Sequence, residues 1–236
     1  MTPPKLCDLE RIATEDGTVT LRRRDSGLSY RSLWGAGTES NTVFVDGTRL
    51  SDKDARWRIV ELGFGAATNF SAVVSRALEL GVAVEYWSVE RAPVPPELVC
   101  ADGLAAEMAS QALHEARSGS ERIVSIERPG VVLHLVCGEW IGAPLPGEAD
   151  AIFFDPFRPA TDSESWTSDA FAVAASCLSE DGVLATYSSA TGVRHAMSDA
   201  GLVVASLSGP GRKREVTIAS LRDEAVAHGS RIKTSN

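Results

Sequence analysis

Apolar and polar positions follow two different rhythms along this 236-residue chain. In "ATEDGTVTLRRR" (13–24) a turn signal at Asp16-Gly17 is followed by Val19 and Leu21, the period of two of a half-buried strand. "NTVFVDG" (41–47) predicts another short strand ending in a turn. Residues 1–50 are therefore expected to form a β-rich N-terminal extension. From residue 51 the pattern becomes strand–helix alternation. "RWRIVELG" (56–63) reads as a strand, and "AATNFSAVVSRALELG" (66–81) has helical spacing that stops at Gly81. "VAVEYWSVE" (82–90) is a second strand, followed by a helix from Asp102 as its cap to Gly119 as its stop. "GVVLHLVCG" (130–138) and "ADAIFFDPF" (149–157) are the third and fourth strands. A helix over 163–182, a strand at 182–189 and a helix at 190–201 come next. Strands at 202–209 and 213–221 close the pattern, which ends in a polar, loose tail at 225–236.

Such alternation predicts an α/β fold, a mostly parallel sheet with helices on both faces. The last two strands meet through "SGPGRK", short enough for an antiparallel hairpin. A doubly wound, Rossmann-like sheet of seven strands with an antiparallel last strand is the class I methyltransferase layout, distinct from that of the dehydrogenases. The methyltransferase domain is expected to span residues 51–224.

Composition changes this picture little. The chain is 44% hydrophobic and 23% charged, ordinary for a soluble globular protein. No apolar run approaches the ~20 residues of a membrane helix, and "MTPPKLCDLE" has no apolar core of a secretory signal. A cytoplasmic protein is the expectation. The four cysteines (7, 100, 137, 177) form no C-x-x-C pair and the histidines are scattered, so neither a metal site nor a disulfide framework is expected. Cys137 and Cys177 read as small buried hydrophobes. The net charge of −9 argues mildly against non-specific nucleic-acid binding, although Arg22–Arg24 and Arg212–Arg214 are local basic clusters.

The candidate chemistry stands at the strand ends, where open α/β sheets bind ligands. Glu61-Leu-Gly63-Phe-Gly65 closes the first strand. Its glycines permit close backbone approach, and Glu61 would repel a pyrophosphate but attract the amino group of a methionine moiety. The pattern G-x-G-x-x-T also lacks the third glycine of a dinucleotide fingerprint. Both points favour S-adenosylmethionine over NAD. Glu90 ends the second strand, where an acidic residue can accept both ribose hydroxyls. Gly138-Glu139 ends the third, facing the adenine amino group. Asp155-Pro156-Phe157 ends the fourth. Asp155 can hold an amine substrate, accept its proton or anchor the methionine end. Phe157 can wall the substrate or the adenine.

With these residues in view, the sequence resembles the methyltransferase domain of the MnmC-type family, which makes 5-methylaminomethyluridine derivatives at the tRNA wobble position. The resemblance runs through "YRSLWGAGTESNTVFVDGTRL", "IVELGFGAATNF", "YWSVE", "LHLVCGE", "DAIFFDPFRPATDSESWT", "DGVLATYSSATGVRHAMSDAGL" and "GPGRKREV", roughly residues 15–220. It implies that Glu61, Gly63, Phe64, Gly65 and Asn69 form the S-adenosylmethionine loop and that Glu90 binds the ribose. Gly138, Glu139, Asp155, Pro156 and Phe157 are implied as further cofactor contacts. Asp155 falls on the catalytic aspartate facing the aminomethyl group, and Arg212, Lys213 and Arg214 fall on the substrate side. The family's D-G-F-A-P is D-P-F-R-P here, its aspartate after the third strand is Glu139, and Asn-Pro before the tryptophan is Ser163-Glu164. The sequence shows no flavin-binding half, so the aminomethyl substrate would come from other enzymes.

The implied reaction is N-methylation of 5-aminomethyl(-2-thio)uridine in tRNA, with neither metal nor flavin. Asp155 would orient the amine and ease its deprotonation. Tyr30 or Trp166 would stack on a flipped uridine, and the basic clusters would contact phosphates. The chain is expected as a monomer or weak dimer. A small-molecule amine or another nucleoside is the alternative acceptor, and a non-catalytic binding module on the same fold is a third reading.

Overall fold

The structure, a computed structural model, describes residues 4–53, 56–119, 121–211 and 214–232. Strands β1 (Leu9–Ala13) and β2 (Val19–Arg23) pair antiparallel across the Asp16-Gly17 turn, as the alternation predicts. Asp16 fastens this hairpin to the next element. Its carboxylate accepts from Thr14 Oγ1 and Thr18 Oγ1, both at 2.6 Å, and from Thr38 N at 2.8 Å and Thr38 Oγ1 at 2.9 Å. Thr38 belongs to α1 (Ala36–Glu39). Gly35, just before α1, has φ +148°, and a Cβ there would lie 2.6 Å from Asp16 Oδ2, so only glycine fits this crossing.

Helix α1 runs on into a π-helical segment, Ser40–Asp46. This corrects the expected strand at "NTVFVDG". Val43, Phe44 and Val45 are all fully buried, whereas a strand on a sheet face would bury alternate residues. They pack against α2 (Thr68–Leu80) and β8 (Leu178–Thr186). A short apolar run carries no period that separates strand from helix, and tertiary burial overrides the β-branched preference here.

The main sheet has nine strands in the order β11-β9-β10-β8-β7-β3-β4-β6-β5. They are β3 (Trp57–Leu62), β4 (Val84–Glu90), β5 (Ile123–Arg128), β6 (Val131–Cys137), β7 (Ala149–Phe154), β8, β9 (Val203–Ser208), β10 (Glu215–Ser220) and β11 (Ser230–Arg231). The five central strands are parallel, and β10 runs antiparallel between β8 and β9. The seven expected strands and the antiparallel last hairpin are present, with two additions. β5 pairs antiparallel with β6 at one edge, and β11 pairs with β9 at the other. The expected loose tail is thus partly docked, with Val226 buried in the core; residues 233–236 lie outside the described set.

Helices α2 and α3 (Gly103–Ser118) cover one face, and α4 (Ser168–Cys177) and α5 (Thr191–Asp199) cover the other. Asp102 occupies the cap position of α3 but makes no side-chain capping bond, whereas the Thr167 side chain accepts from Ala170 N at the start of α4. No helix among the described residues is long and apolar enough to cross a membrane. Strand order reverses between β3 and β7, which opens a crevice at the carboxyl ends of these strands. The N-terminal segment from Leu28 to Glu39 lies across that crevice.

Burial opposes the ionisation of Asp16, but the bonds from Thr14, Thr18 and Thr38 outweigh it and hold its carboxyl well below the usual range. A lowered value stabilises the fold above the ordinary pKa, and that contribution is lost as pH falls through the folded value. Asp16→Ala is expected to lower the unfolding free energy by about 1 kcal/mol near neutral pH. In urea denaturation the gap from wild type should narrow below about pH 4. A gap that stays constant into acid would contradict the clamp.

Candidate active site

The crevice is a cleft of about 820 Å³. Its floor follows the sheet order: Gly138 after β6, Glu90 at the end of β4, the Gly63–Gly65 loop after β3, and Asp155 after β7. The loop is tightly made. Gly63 has φ +95°, and a Cβ there would meet the Asp155 carbonyl oxygen at 2.8 Å; Gly65 has φ +53° and faces the Tyr30 ring. Gly65 N donates to Glu90 Oε2 at 2.9 Å and Ala92 N donates to Oε1 at 2.8 Å. Glu90 is therefore fixed on the cleft wall by two backbone groups. Burial pushes its carboxyl up, against the pull of those two bonds.

Glu61 lies elsewhere than the sequence suggests. It is fully buried, does not line the cleft, and accepts from Asn69 Nδ2 and Ser88 Oγ, each at 2.8 Å. Asn69 is buried too, and its Nδ2 also reaches Asp155 Oδ2 at 3.0 Å. Both residues therefore reach the cleft only through Asp155. The physical reason is register: Glu61 is still inside β3, paired with Ser88 and Phe153, so its side chain leaves the sheet toward α2.

Asp155 lines the cleft with its side chain 8% exposed, and its Oδ2 lies 2.6 Å from Arg31 Nη1. Arg31, 7% exposed, also stands 3.9 Å from Glu39 and over the Phe44 ring at 5.3 Å. Sequence reasoning missed Arg31. Asp155 and Glu39 thus flank one guanidinium, and Glu61, joined to Asp155 through Asn69, adds its charge from behind them. Burial raises the Asp155 carboxyl well above its usual range; Arg31 opposes the shift and the two neighbouring glutamates add to it. Burial also pushes Glu61 up to about 7, with Asn69, Ser88 and Arg31 opposing.

Phe64, Pro156 and Phe157 line the cleft, and Tyr30 meets Phe157 edge-on at 5.0 Å. Tyr187 also lines it, its hydroxyl donating to Pro156 O at 2.8 Å. Glu139 is at the rim, 66% exposed, 3.7 Å from Arg91; Arg91 pairs with Asp162 at 2.8 Å. Arg91 and Asp162 are cleft residues that sequence reasoning did not single out.

Trp166 is not available for stacking on a base. It is buried, donates from Nε1 to Phe157 O at 2.8 Å, and packs on Phe154 and Tyr187. It braces the Asp-Pro-Phe turn from behind. Trp34, 45% exposed, stands at the cleft mouth instead; it belongs to the same "YRSLW" run as Tyr30. Of the basic clusters, Arg22 and Arg24 pair with Glu10, and Arg23 with Asp25. Arg214 is exposed at the foot of β10, while Arg212 and Lys213 lie outside the described residues. Cys177 is buried and Cys137 partly so. Among the described residues no group of His, Cys, Asp and Glu is arranged to hold a metal ion.

A carboxyl whose folded pKa is raised binds its proton more tightly in the native state, so its contribution to stability falls as pH rises from the unfolded value to the folded one. Wild-type stability is expected to drop by about 2 kcal/mol through Glu61 between roughly pH 5 and pH 8. Glu61→Gln should abolish that slope. Its amide can donate to Asn69 Oδ1, which is buried without a hydrogen-bond partner among the described residues. Urea denaturation at the two pH values checks this; parallel wild-type and variant profiles would contradict it.

The glycine loop, the acidic residue ending β4 and the open cleft suit a nucleoside-bearing cofactor with close backbone contact. Comparison with known proteins agrees. A family model described as S-adenosyl-L-methionine-dependent methyltransferase matches residues 104–222. The chain is 31% identical over 228 residues to the tRNA 5-methylaminomethyl-2-thiouridine biosynthesis bifunctional protein MnmC of Burkholderia vietnamiensis, covering 88% of this chain and 34% of that protein. It is 32% identical over 222 residues to the protein of the same name from Ralstonia nicotianae, covering 87% and 33%. The chain thus spans about a third of the length of the curated relatives it matches. The crystal structure of MnmC2 from Aquifex aeolicus superposes with a TM-score of 0.77 at 29% identity, over 93% of this chain and 72% of that one. Fold, cleft and family match converge: this chain belongs to the S-adenosyl-L-methionine-dependent methyltransferase family and is an enzyme of that class.

Proposed function

We propose that the chain transfers a methyl group to the primary amine of 5-aminomethyl(-2-thio)uridine at the tRNA wobble position. One observation carries this reading. Asp155, a carboxylate on the cleft wall after β7, stands in a chain about 30% identical to proteins named for 5-methylaminomethyl-2-thiouridine biosynthesis. When bound, S-adenosylmethionine supplies an electrophilic methyl group on a sulfonium. Glu90 would hold the ribose hydroxyls, with the Gly63–Gly65 backbone beneath and Phe64, Gly138 and Phe157 around the nucleoside.

An alkyl ammonium cannot attack carbon until it has lost a proton. Asp155, aimed by Arg31 and Asn69, would hold the amine by a charge-assisted hydrogen bond and ease that loss. The remaining rate gain is alignment of nitrogen with the methyl group. Tyr30 and Phe157 would wall the uracil, Trp34 would stack at the mouth, and the exposed Arg158 and Arg214 would meet phosphates. The precursor amine would come from enzymes acting earlier on the same nucleotide, and a tRNA substrate places the reaction in the cytoplasm.

A second reading, a small-molecule amine acceptor, has a specific observation behind it. Arg22 and Arg24 share Glu10 and Arg23 pairs with Asp25, which offsets two of the three charges of that cluster, and the chain carries a net charge of −9.

The test is methyl transfer from labelled S-adenosylmethionine to tRNA bearing 5-aminomethyluridine. Wild type is expected to incorporate label. Asp155→Asn should lose about 100-fold or more in rate at saturating S-adenosylmethionine. No incorporation by a wild type that binds the cofactor would move the assignment to a small amine. Unchanged transfer by the variant would remove the role of Asp155.

A further inference from the structure

Arg31 is the one buried guanidinium on the cleft wall, among the described residues, that the proposed transfer uses only indirectly. Its surroundings give it a more direct task. The cleft floor runs in sheet order from β6 through β4 and β3 to β7. With the ribose at Glu90, on β4, the adenine would lie on the β6 side and the amino-acid tail of the cofactor would run the other way, over the Gly63–Gly65 loop toward Asp155 on β7. That tail ends in an α-carboxylate, and a carboxylate taken out of water requires a fixed cation. The guanidinium beside that end of the cleft is Arg31.

We propose that Arg31 is the seat of the cofactor's α-carboxylate, with Asp155 and Glu39 as the clamps that hold it in place. Three features support the assignment. Arg31 is 7% exposed yet lines the cleft, so its charge is presented in a poorly solvated wall where a charge-assisted bond counts most. Among the described residues both of its ion pairs, to Asp155 at 2.6 Å and to Glu39 at 3.9 Å, are made by Nη1, which leaves Nε and Nη2 of a five-donor fork outside them. The side chain is already fixed, stacked over Phe44 at 5.3 Å, so binding requires little ordering. The same geometry makes Arg31 a specificity residue. It favours a cofactor that keeps its amino-acid carboxylate over one that has lost it. The inference rests on the cofactor and its ribose seat, and is independent of which amine is methylated.

Isothermal titration of the wild-type protein with S-adenosylhomocysteine and with its decarboxylated analogue tests this without any substitution. The analogue is expected to bind at least about tenfold more weakly, the loss of a hydrogen-bonded charge; equal affinity would overturn the proposal. Arg31→Met adds the residue assignment. It should weaken S-adenosylhomocysteine about tenfold or more and change 5′-methylthioadenosine, which has no amino-acid end, by less than about twofold. Arg31→Lys should recover part of the loss. A variant that loses both ligands equally, or neither, would overturn the assignment of Arg31. Should Arg31→Met not fold, the wild-type pair of titrations and Arg31→Lys still decide.

Discussion

The arrangement of this molecule's cleft turns on one buried cation paired with two carboxylates, with a third behind them. Arg31 comes from the N-terminal segment, Asp155 from the end of β7, Glu39 from α1 and Glu61 from β3. Asn69, at the start of α2, bonds both Glu61 and Asp155. Elements separated by more than a hundred residues in sequence therefore meet at a single electrostatic cluster. One guanidinium cannot neutralise three desolvated carboxylates, and the imbalance appears as the upward shifts of Asp155 and Glu61. The cluster is a structural lock on the wall of a site that takes a charged cofactor.

The lock depends in turn on a second, polar device. Asp16 binds the β1–β2 turn to α1, which fixes the entry of the segment carrying Tyr30, Arg31 and Glu39. The Trp166 indole holds the other wall by its bond to the Phe157 carbonyl. Between these two braces the Gly63 and Asp155 backbones approach so closely that a side chain at residue 63 would collide. Catalysis by alignment requires such a cradle, since a shift of about 1 Å at the reacting atoms costs much of the rate.

Much of this was legible in the sequence. Glu90 and Asp155 stand at the ends of strands, and strand ends define the crevice of a doubly wound sheet, so position alone marked them. Gly63 and Gly65, closely spaced after a strand, likewise announced a loop of close approach. Other features were not legible for physical reasons. Arg31 lies in an irregular segment far from β3 in sequence, where no periodicity points to a partner. Glu61 looked like a strand-end residue, but β3 continues to Leu62, which turns its side chain into the core. Trp166 and Trp34 are the same residue type, and only the tertiary packing puts one behind the site and the other at its mouth. β5 is a short edge strand whose Val124 and Ile126 alternate with exposed residues, a weak signal beside the buried runs of its neighbours.

The cofactor is expected to lie across the strand ends with its ribose at Glu90 and its amino-acid tail at the Arg31–Asp155 cluster. A crystal structure of the protein with S-adenosylhomocysteine bound tests this most directly. Both ribose hydroxyls are expected within hydrogen-bond distance of Glu90, and the homocysteine carboxylate within hydrogen-bond distance of Arg31. A ligand lying in the reverse sense, with its adenine against Asp155, or one whose carboxylate projects to solvent away from Arg31, would contradict it.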